Sequence, residues 1–376
     1  MGGFGEQYPG RVDSTWRVET GVGSATRSWW GADTIGGTDT SLSDNADALK
    51  PLHGAFVSPP LSDTHTHGCA GIAVSGSTKD MTRLLEAYRV IGVAKVQLSI
   101  VTLGEADIQQ ILRAARNVMS ENDSLLGIHL EGPFLSPEKK GAHDEALLST
   151  ASRPGIQALL ENYLDVVTAI TLDPLSVDEG VIGWLVENGI TVAIGHTMVT
   201  YDEAVRAFQE GATLLTHAFN AMRPVSSREP GPVMAAIDEG AYLEVIADGH
   251  HVHPSLVQML FREAPGRVIL VTDSMPAAGQ GDGDYTLGSL DVTVSDGVVR
   301  TTEGALAGST LLLPDAIHNA HRFGVPAQQA IAAGTTTPLE AYGREVPSLS
   351  PGHPARLAVW SEDARLTHII HDGIVS

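Results

Sequence analysis

From about residue 55 the sequence settles into a rhythm that few folds can satisfy. Short β-branched or apolar runs, among them "AKVQLSIVT", "LLGIHLEG", "VVTAITLDP", "ITVAIGHT", "TLLTHAFN", "LEVIADGHH" and "VILVTDSM", alternate with helix-like stretches at 80–91, 105–119, 178–188, 202–210 and 255–264. Strands separated by helices are parallel neighbours, and eight such units over roughly 250 residues fit a closed (β/α)8 barrel better than an open sheet. No G-x-G-x-x-G opens a helix after an early strand, which argues against a dinucleotide-binding sheet. The expected class is α/β, a TIM-like barrel over residues 59–345. A β-hairpin insertion is expected at 284–301, where "DYTLGSLDVTVSDGVVR" alternates with period two around an Ser-Asp-Gly turn. Residues 1–58, rich in Gly, Ser, Thr and Asp, read as an irregular segment or a weak set of short strands. After "VPSLSPGHPA", residues 346–376 read as two short strands around an acidic turn. The two termini are expected to build a small β domain beside the barrel.

Composition narrows the class of function. The 376 residues are 43% apolar, enough for a sizeable core. Acidic residues outnumber basic ones by 45 to 23, and the net charge of −22 argues against nucleic acid or an anionic membrane as a partner. The single cysteine, Cys69, excludes an intrachain disulfide framework, and beside a site it reads as an uninvolved small side chain. No apolar run approaches the roughly 20 residues that span a bilayer, and the N-terminus lacks a basic-then-apolar signal pattern. A cytoplasmic protein is expected.

Polar residues keep falling at strand ends. His65, His67, Glu131, His196, His217, Asp248 and Asp273 lie at or just past the C-terminal ends of expected strands, the face on which barrel enzymes build their sites. In "LSDTHTHG" the alternation of a strand sends His65 and His67 to one side. Zinc and similar ions take imidazole nitrogen and carboxylate oxygen, with three protein ligands in catalytic sites. Glu131, His196 and His217 supply one such set; His65 and His67 could supply a second ion, with Glu131 bridging. His129, His250 and His253 have no forced role, and core packing or helix capping suits them.

"DTHTHG", "GIHLEGPFLSPEKKGAH", "AIGHT", "THAFNAMRPVSSREPG", "IADGHHVHP", "VTDSMPAAG" and "LAGST" occur in order over residues 61–310. In them the chain resembles the N-acetylglucosamine-6-phosphate deacetylases, a branch of the amidohydrolase superfamily. The resemblance implies a metal-dependent amide hydrolase, with one or two divalent ions, zinc above all, acting on a phosphorylated amino sugar; a homodimer is expected because closed two-fold dimers are the commonest oligomers and the long loop bearing Arg228 can complete a neighbour's site. It implies metal ligation by Glu131, His196 and His217, with His65 and His67 the pair that holds a second metal in some members. It makes Asp273 the catalytic acid/base and puts Ala142, His143, Asn220, Ala221, Arg228, His251, Leu306, Ala307 and Gly308 at substrate-contact positions. The chemistry of these residues agrees. A carboxylate can take a proton from water and return it to a departing amine, and a neutral His143 can donate to a carbonyl oxygen. Arg228 offers a planar fork for a phosphate, and His251 and the backbone at Asn220–Ala221 can add donors. Lys139 and Lys140 read as solvated surface. "TLDPL" and the first 50 residues depart from the family pattern. Other readings are a different N-acyl amino sugar, a cyclic amide, or a non-catalytic sugar-phosphate sensor.

Overall fold

The computed structural model describes residues 16–20, 27–30, 35–38, 50–350, 353–371 and 374–375. The remainder of the expected terminal domain lies outside the described residues. The strand–helix rhythm closes into a barrel of eight parallel strands: β1 (Leu61–Thr66), β2 (Val93–Ile100), β3 (Leu125–Glu131), β4 (Val167–Leu172), β5 (Thr191–Ile194), β6 (Leu214–Leu215), β7 (Tyr242–Val245) and β8 (Val268–Leu270). They are hydrogen-bonded in chain order. The circle is completed just beyond β8, where Thr66 bridges Ser274 and the Asp273 N–H donates to the His65 carbonyl at 2.8 Å. All six residues of β1 are buried, since one face looks into the barrel and the other lies under helices. Five of those six are polar or ionisable, and among them Asp63 accepts from Thr272, His65 Nδ1 meets Glu244 and Thr66 bonds Ser274.

The helices that return the chain are α1 (Thr78–Val90), α2 (Glu105–Glu121), α3 (Arg153–Leu160), α4 (Val181–Glu187), α5 (Tyr201–Glu210), α6 (Gly231–Asp238), α7 (Pro254–Glu263) and α8 (Leu313–Arg322). Their starts are encoded locally. Thr200 and Glu203 form a reciprocal capping box on α5, and His253 caps α7 by accepting the Ser255 N–H. Helices α3 and α6 escape the sequence rhythm because they open on Arg-Pro-Gly and Gly-Pro and run only eight residues each.

The insertion expected as a hairpin is a three-stranded antiparallel meander of Gly283–Leu287, Leu290–Ser295 and Val298–Thr301. Two tight turns join its strands, with φ of +58° at Gly288, +52° at Asp296 and +74° at Gly297. Such values match the twist of the flanking strands. Leu287, Val292, Val294 and Val299 pack on Val101, Met275 and Ala277, which seats the meander on the strand-end face of the barrel. At the termini, Phe56–Ser58 pairs antiparallel with Leu357–Trp360, so the two ends of the chain meet in one sheet. We place the divisions between this β layer and the barrel near residues 58 and 345. Among the described residues, no helix is long and apolar enough to cross a membrane.

Candidate active site

The site begins with backbone geometry at the ends of the barrel strands. Glu131 is the last residue of β3, while His196, His217 and Asp273 lie just past β5, β6 and β8. These last three hold φ of +47°, +25° and +47°, a left-handed conformation that costs a non-glycine residue on the order of 1–3 kcal/mol. Phe219 and Ala221 share it, so five of the eight described non-glycine residues with positive φ border one cavity of about 390 Å3. Strain concentrated in one place marks a geometry maintained against stability.

The side chains converge on Glu131. Its Oε1 lies 3.0 Å from His217 Nε2, 3.1 Å from His196 Nε2 and 3.5 Å from His65 Nε2. Its Oε2 lies 3.2 Å from His67 Nε2 and 3.5 Å from His143 Nε2. Asp273 Oδ1 faces His67 Nε2 at 3.1 Å and His65 Nε2 at 3.7 Å. The far side of each ring decides what the near side offers. His196 Nδ1 donates to the Lys139 carbonyl at 2.7 Å, His67 Nδ1 to the Ser99 carbonyl at 3.1 Å, and His65 Nδ1 to Glu244 at 2.9 Å. The Nε2 atoms of these three rings therefore present lone pairs. His65 Nε2 is buried with no hydrogen-bond partner, and His196 Nε2 and His217 Nε2 stand 3.1 Å apart. Convergent lone pairs of nitrogen and carboxylate oxygen fit a borderline divalent cation. His143 lies close enough to belong to the same donor group, but its Nδ1 accepts the Thr102 N–H at 3.1 Å. The proton of the neutral ring is then on Nε2, which makes His143 a donor rather than a ligand.

The electrostatics show how strongly this point calls for positive charge. Burial opposes charge on His65 and His67, yet Glu244 and Glu131 raise His65 well above the usual imidazole range. Asp273 and Glu131 hold His67 at about 9. Burial likewise pushes the carboxyls up, but the neighbouring rings outweigh it and hold Asp273 at about 2 and Glu131 well below its usual value. Imidazolium protons or a bound cation answer the same demand, and metal binding would displace the protons. Burial lowers His143, consistent with the neutral donor.

The Amidohydrolase family matches residues 56–375. The chain belongs to the amidohydrolase family. It is 34% identical over 330 residues to N-acetylglucosamine-6-phosphate deacetylase of Vibrio furnissii, covering 85% of this chain and 82% of that one. It is 35% identical over 308 residues to N-acetylgalactosamine-6-phosphate deacetylase of Escherichia coli O157:H7, covering 79% and 81%. Among solved structures, a mutant of N-acetyl-D-glucosamine-6-phosphate deacetylase from Mycobacterium smegmatis, in complex with N-acetyl-D-glucosamine-6-phosphate, superposes with a TM-score of 0.87. It shares 31% identity over 96% of this chain and 98% of that chain.

In this amidohydrolase the cavity is lined by His67, Glu131, His196, His217 and Asp273, and by Ala142, His143, Asn220, Ala221, His251, Leu306 and Gly308. His65 lies beneath it, fully buried. Two expected contact residues are elsewhere. Ala307 turns into the apolar cluster under the meander with Met275 and Ala277, because neighbouring residues in an extended segment face opposite ways. Arg228 is exposed on the loop after β6, outside the cavity lining, and has no ion pair among the described residues. Its neighbour Glu229 instead accepts the N–H groups of Tyr201 and Gly231. Asn220 uses its own N–H and its side-chain amide on the His217 and Ala218 carbonyls, which leaves it a smaller share in donating to a ligand than the sequence suggested. Lys139 does line the cavity, whereas Lys140 pairs with Glu145.

Sequence reasoning misses the residues that orient the others. Glu244 is fully buried, with Oε2 on His65 Nδ1 and on the His217 N–H, yet it sits mid-strand in "LEVI". Thr102 fixes the His143 tautomer through its backbone, which no side-chain motif records. Asp248, noted at a strand end but given no role, accepts His251 Nδ1 at 2.6 Å and outweighs burial to raise the pKa of that ring. His129 bonds Ser99 and Thr171 under the site, and Cys69 is buried outside the cavity lining with its thiol pushed by burial to about 11.

Proposed function

We propose that the protein hydrolyses the N-acetyl group of N-acetylglucosamine 6-phosphate, giving glucosamine 6-phosphate and acetate. The reading is carried by the convergence of Glu131, His196 and His217, with the Asp273 carboxylate and the Nε2–H of His143 beside them. Those three residues would hold a divalent metal, and His65 and His67 a second one with Glu131 between; zinc suits the imidazole and carboxylate donors best. A bound ion would lower the pKa of water towards ~7 and polarise the amide carbonyl. The ionised Asp273 accepts the proton of the attacking water and passes it to the amine nitrogen as the C–N bond breaks. His143 donates from Nε2 to the carbonyl oxygen as negative charge grows there.

The sugar lies against Ala142, Asn220, Ala221, Leu306 and Gly308, with His251, its pKa raised by the Asp248 carboxylate, towards the phosphate. Arg228 completes the phosphate site from a partner subunit, a reading supported by its exposure and its place outside the cavity lining of its own chain. The protein is on this reading a cytoplasmic homodimer. The 35% identity to an N-acetylgalactosamine-6-phosphate deacetylase favours a second substrate, the 4-epimer of the first. Acetate release by zinc-loaded protein from both sugar phosphates and from unphosphorylated N-acetylglucosamine tests the proposal. Release from at least one sugar phosphate, at least about tenfold faster than from the free sugar, is expected. Release from neither sugar phosphate would end it.

A further inference from the structure

A narrow recess lies beside His67, next to the cleft. It holds about 40 Å3, and its walls include Val74, Val101, Leu103, Pro276 and Leu287. His67 is the only ionisable side chain among its described lining residues. His67, Val101 and Leu287 also line the main cavity, so the two spaces adjoin at these side chains. The walls are fixed. The Val74 N–H donates to the His67 carbonyl at 3.1 Å, and Leu287 is buried in the cluster under the meander. The turn at Gly288 lies so close that a Cβ there would meet Val101 Cγ2 at 2.6 Å.

We propose that this recess is the acyl subsite of the hydrolase, and that Leu287, Val101 and Val74 determine which N-acyl groups enter. The inference rests on the functional reading above. The carbon under attack must lie within reach of Asp273 and His143, and Asp273 Oδ1 is 3.1 Å from His67 Nε2. The acyl substituent is bonded directly to that carbon, so it must occupy the first apolar space beside His67, while the sugar and phosphate extend towards His251. One water-sized group needs roughly 10–15 Å3 of such space, so the recess takes about three to four. The methyl of acetyl and the ethyl of propionyl fit; the heptyl of octanoyl does not.

The test is kcat/KM for glucosamine 6-phosphate carrying formyl, acetyl, propionyl or octanoyl groups, on wild type, Leu287→Ala and Val74→Ala. Hydrophobic pockets discriminate by about 10–200-fold per methylene, so in the wild type the octanoyl value should fall at least about a hundredfold below acetyl. Either variant should raise the octanoyl-to-acetyl ratio about tenfold or more. Both substrates are measured on one preparation, so partial unfolding cancels in that ratio, and the two substitutions sit on different elements. An unchanged ratio in both variants, with acetate still released, would overturn the subsite alone. Failure of the metal-loaded wild type to release any acyl group would overturn the functional reading and the subsite together.

Discussion

Both ends of the barrel carry a cavity, and the larger, about 500 Å3 against 390 Å3, lies where the strands begin. Its charged groups make ordinary surface contacts. Lys95 Nζ donates to the Asp123 carbonyl at 2.7 Å and to its carboxylate at 3.2 Å, and Arg356 approaches the same carboxylate at 3.8 Å. The Asp123 side chain is 76% exposed, and exposed pairs of this kind contribute about 0–1 kcal/mol. None of the described non-glycine residues with positive φ borders that cavity. At the other end, Glu131, Asp273 and five histidines are buried together; the titration of both carboxylates and of His65, His67 and His143 is displaced, and the backbones of His196, His217 and Asp273 are strained. Volume measures room for a ligand. Buried charge and backbone strain, which lower stability, measure where chemistry is maintained, and by that standard the smaller cavity is the site.

Substitutions at the two ends should therefore differ by orders of magnitude. The largest effect is expected from Asp273→Asn, which keeps the shape but removes the proton acceptor. General acid–base catalysis is worth about 10²–10⁴-fold, so kcat should fall at least about a hundredfold while metal content is retained. Near-normal turnover would show that another group moves the proton. Arg228→Ala removes a charge-assisted contact of about 1.5–3 kcal/mol, so kcat/KM for the phosphorylated sugar should drop about ten- to a hundredfold. The unphosphorylated sugar should hardly notice, and an equal loss on both would make Arg228 a support of its loop.

Glu244→Gln sharpens the comparison further, because it touches His65 from behind without lining the cavity. Loss of such a partner typically weakens metal binding about 10–100-fold, measurable by competition with a chelator of known affinity. Unaltered affinity would make the Glu244–His65 contact mere packing. At the opposite end, Asp123→Asn should change kcat/KM by less than about twofold and stability by no more than about 1 kcal/mol. A tenfold loss of activity there would break the contrast between the two ends.

The chain's own sequence carried the barrel and the strand-end residues because both are periodic. Seven of the eight apolar runs ended in His, Glu or Asp, and period two put His65 and His67 on one side. Long-range contacts were not legible in the same way. Glu244 meets His65 across 179 residues, and in a strand buried on both faces a functional carboxylate has no pattern to stand out from. The weighting of Arg228 over Lys139 followed from residue type, whereas their placement follows from how the loops fold: Lys139 faces the cavity and Arg228 faces solvent. The third strand of the meander was hidden in "LGSL", where the turn at Gly288 separates two strands that the alternation alone reads as one.

The central claim is that Glu131, His196 and His217 hold an ion without which the amide is not hydrolysed. Its most direct test titrates zinc into chelator-stripped protein while following both bound metal and acetate released from N-acetylglucosamine 6-phosphate. Activity should be negligible without metal, rise as the first equivalent binds, and fail to rise in an Glu131→Gln, His196→Ala double variant that no longer retains that equivalent. Full acetate release by the stripped protein, or unaltered zinc binding and turnover in the double variant, would contradict the account.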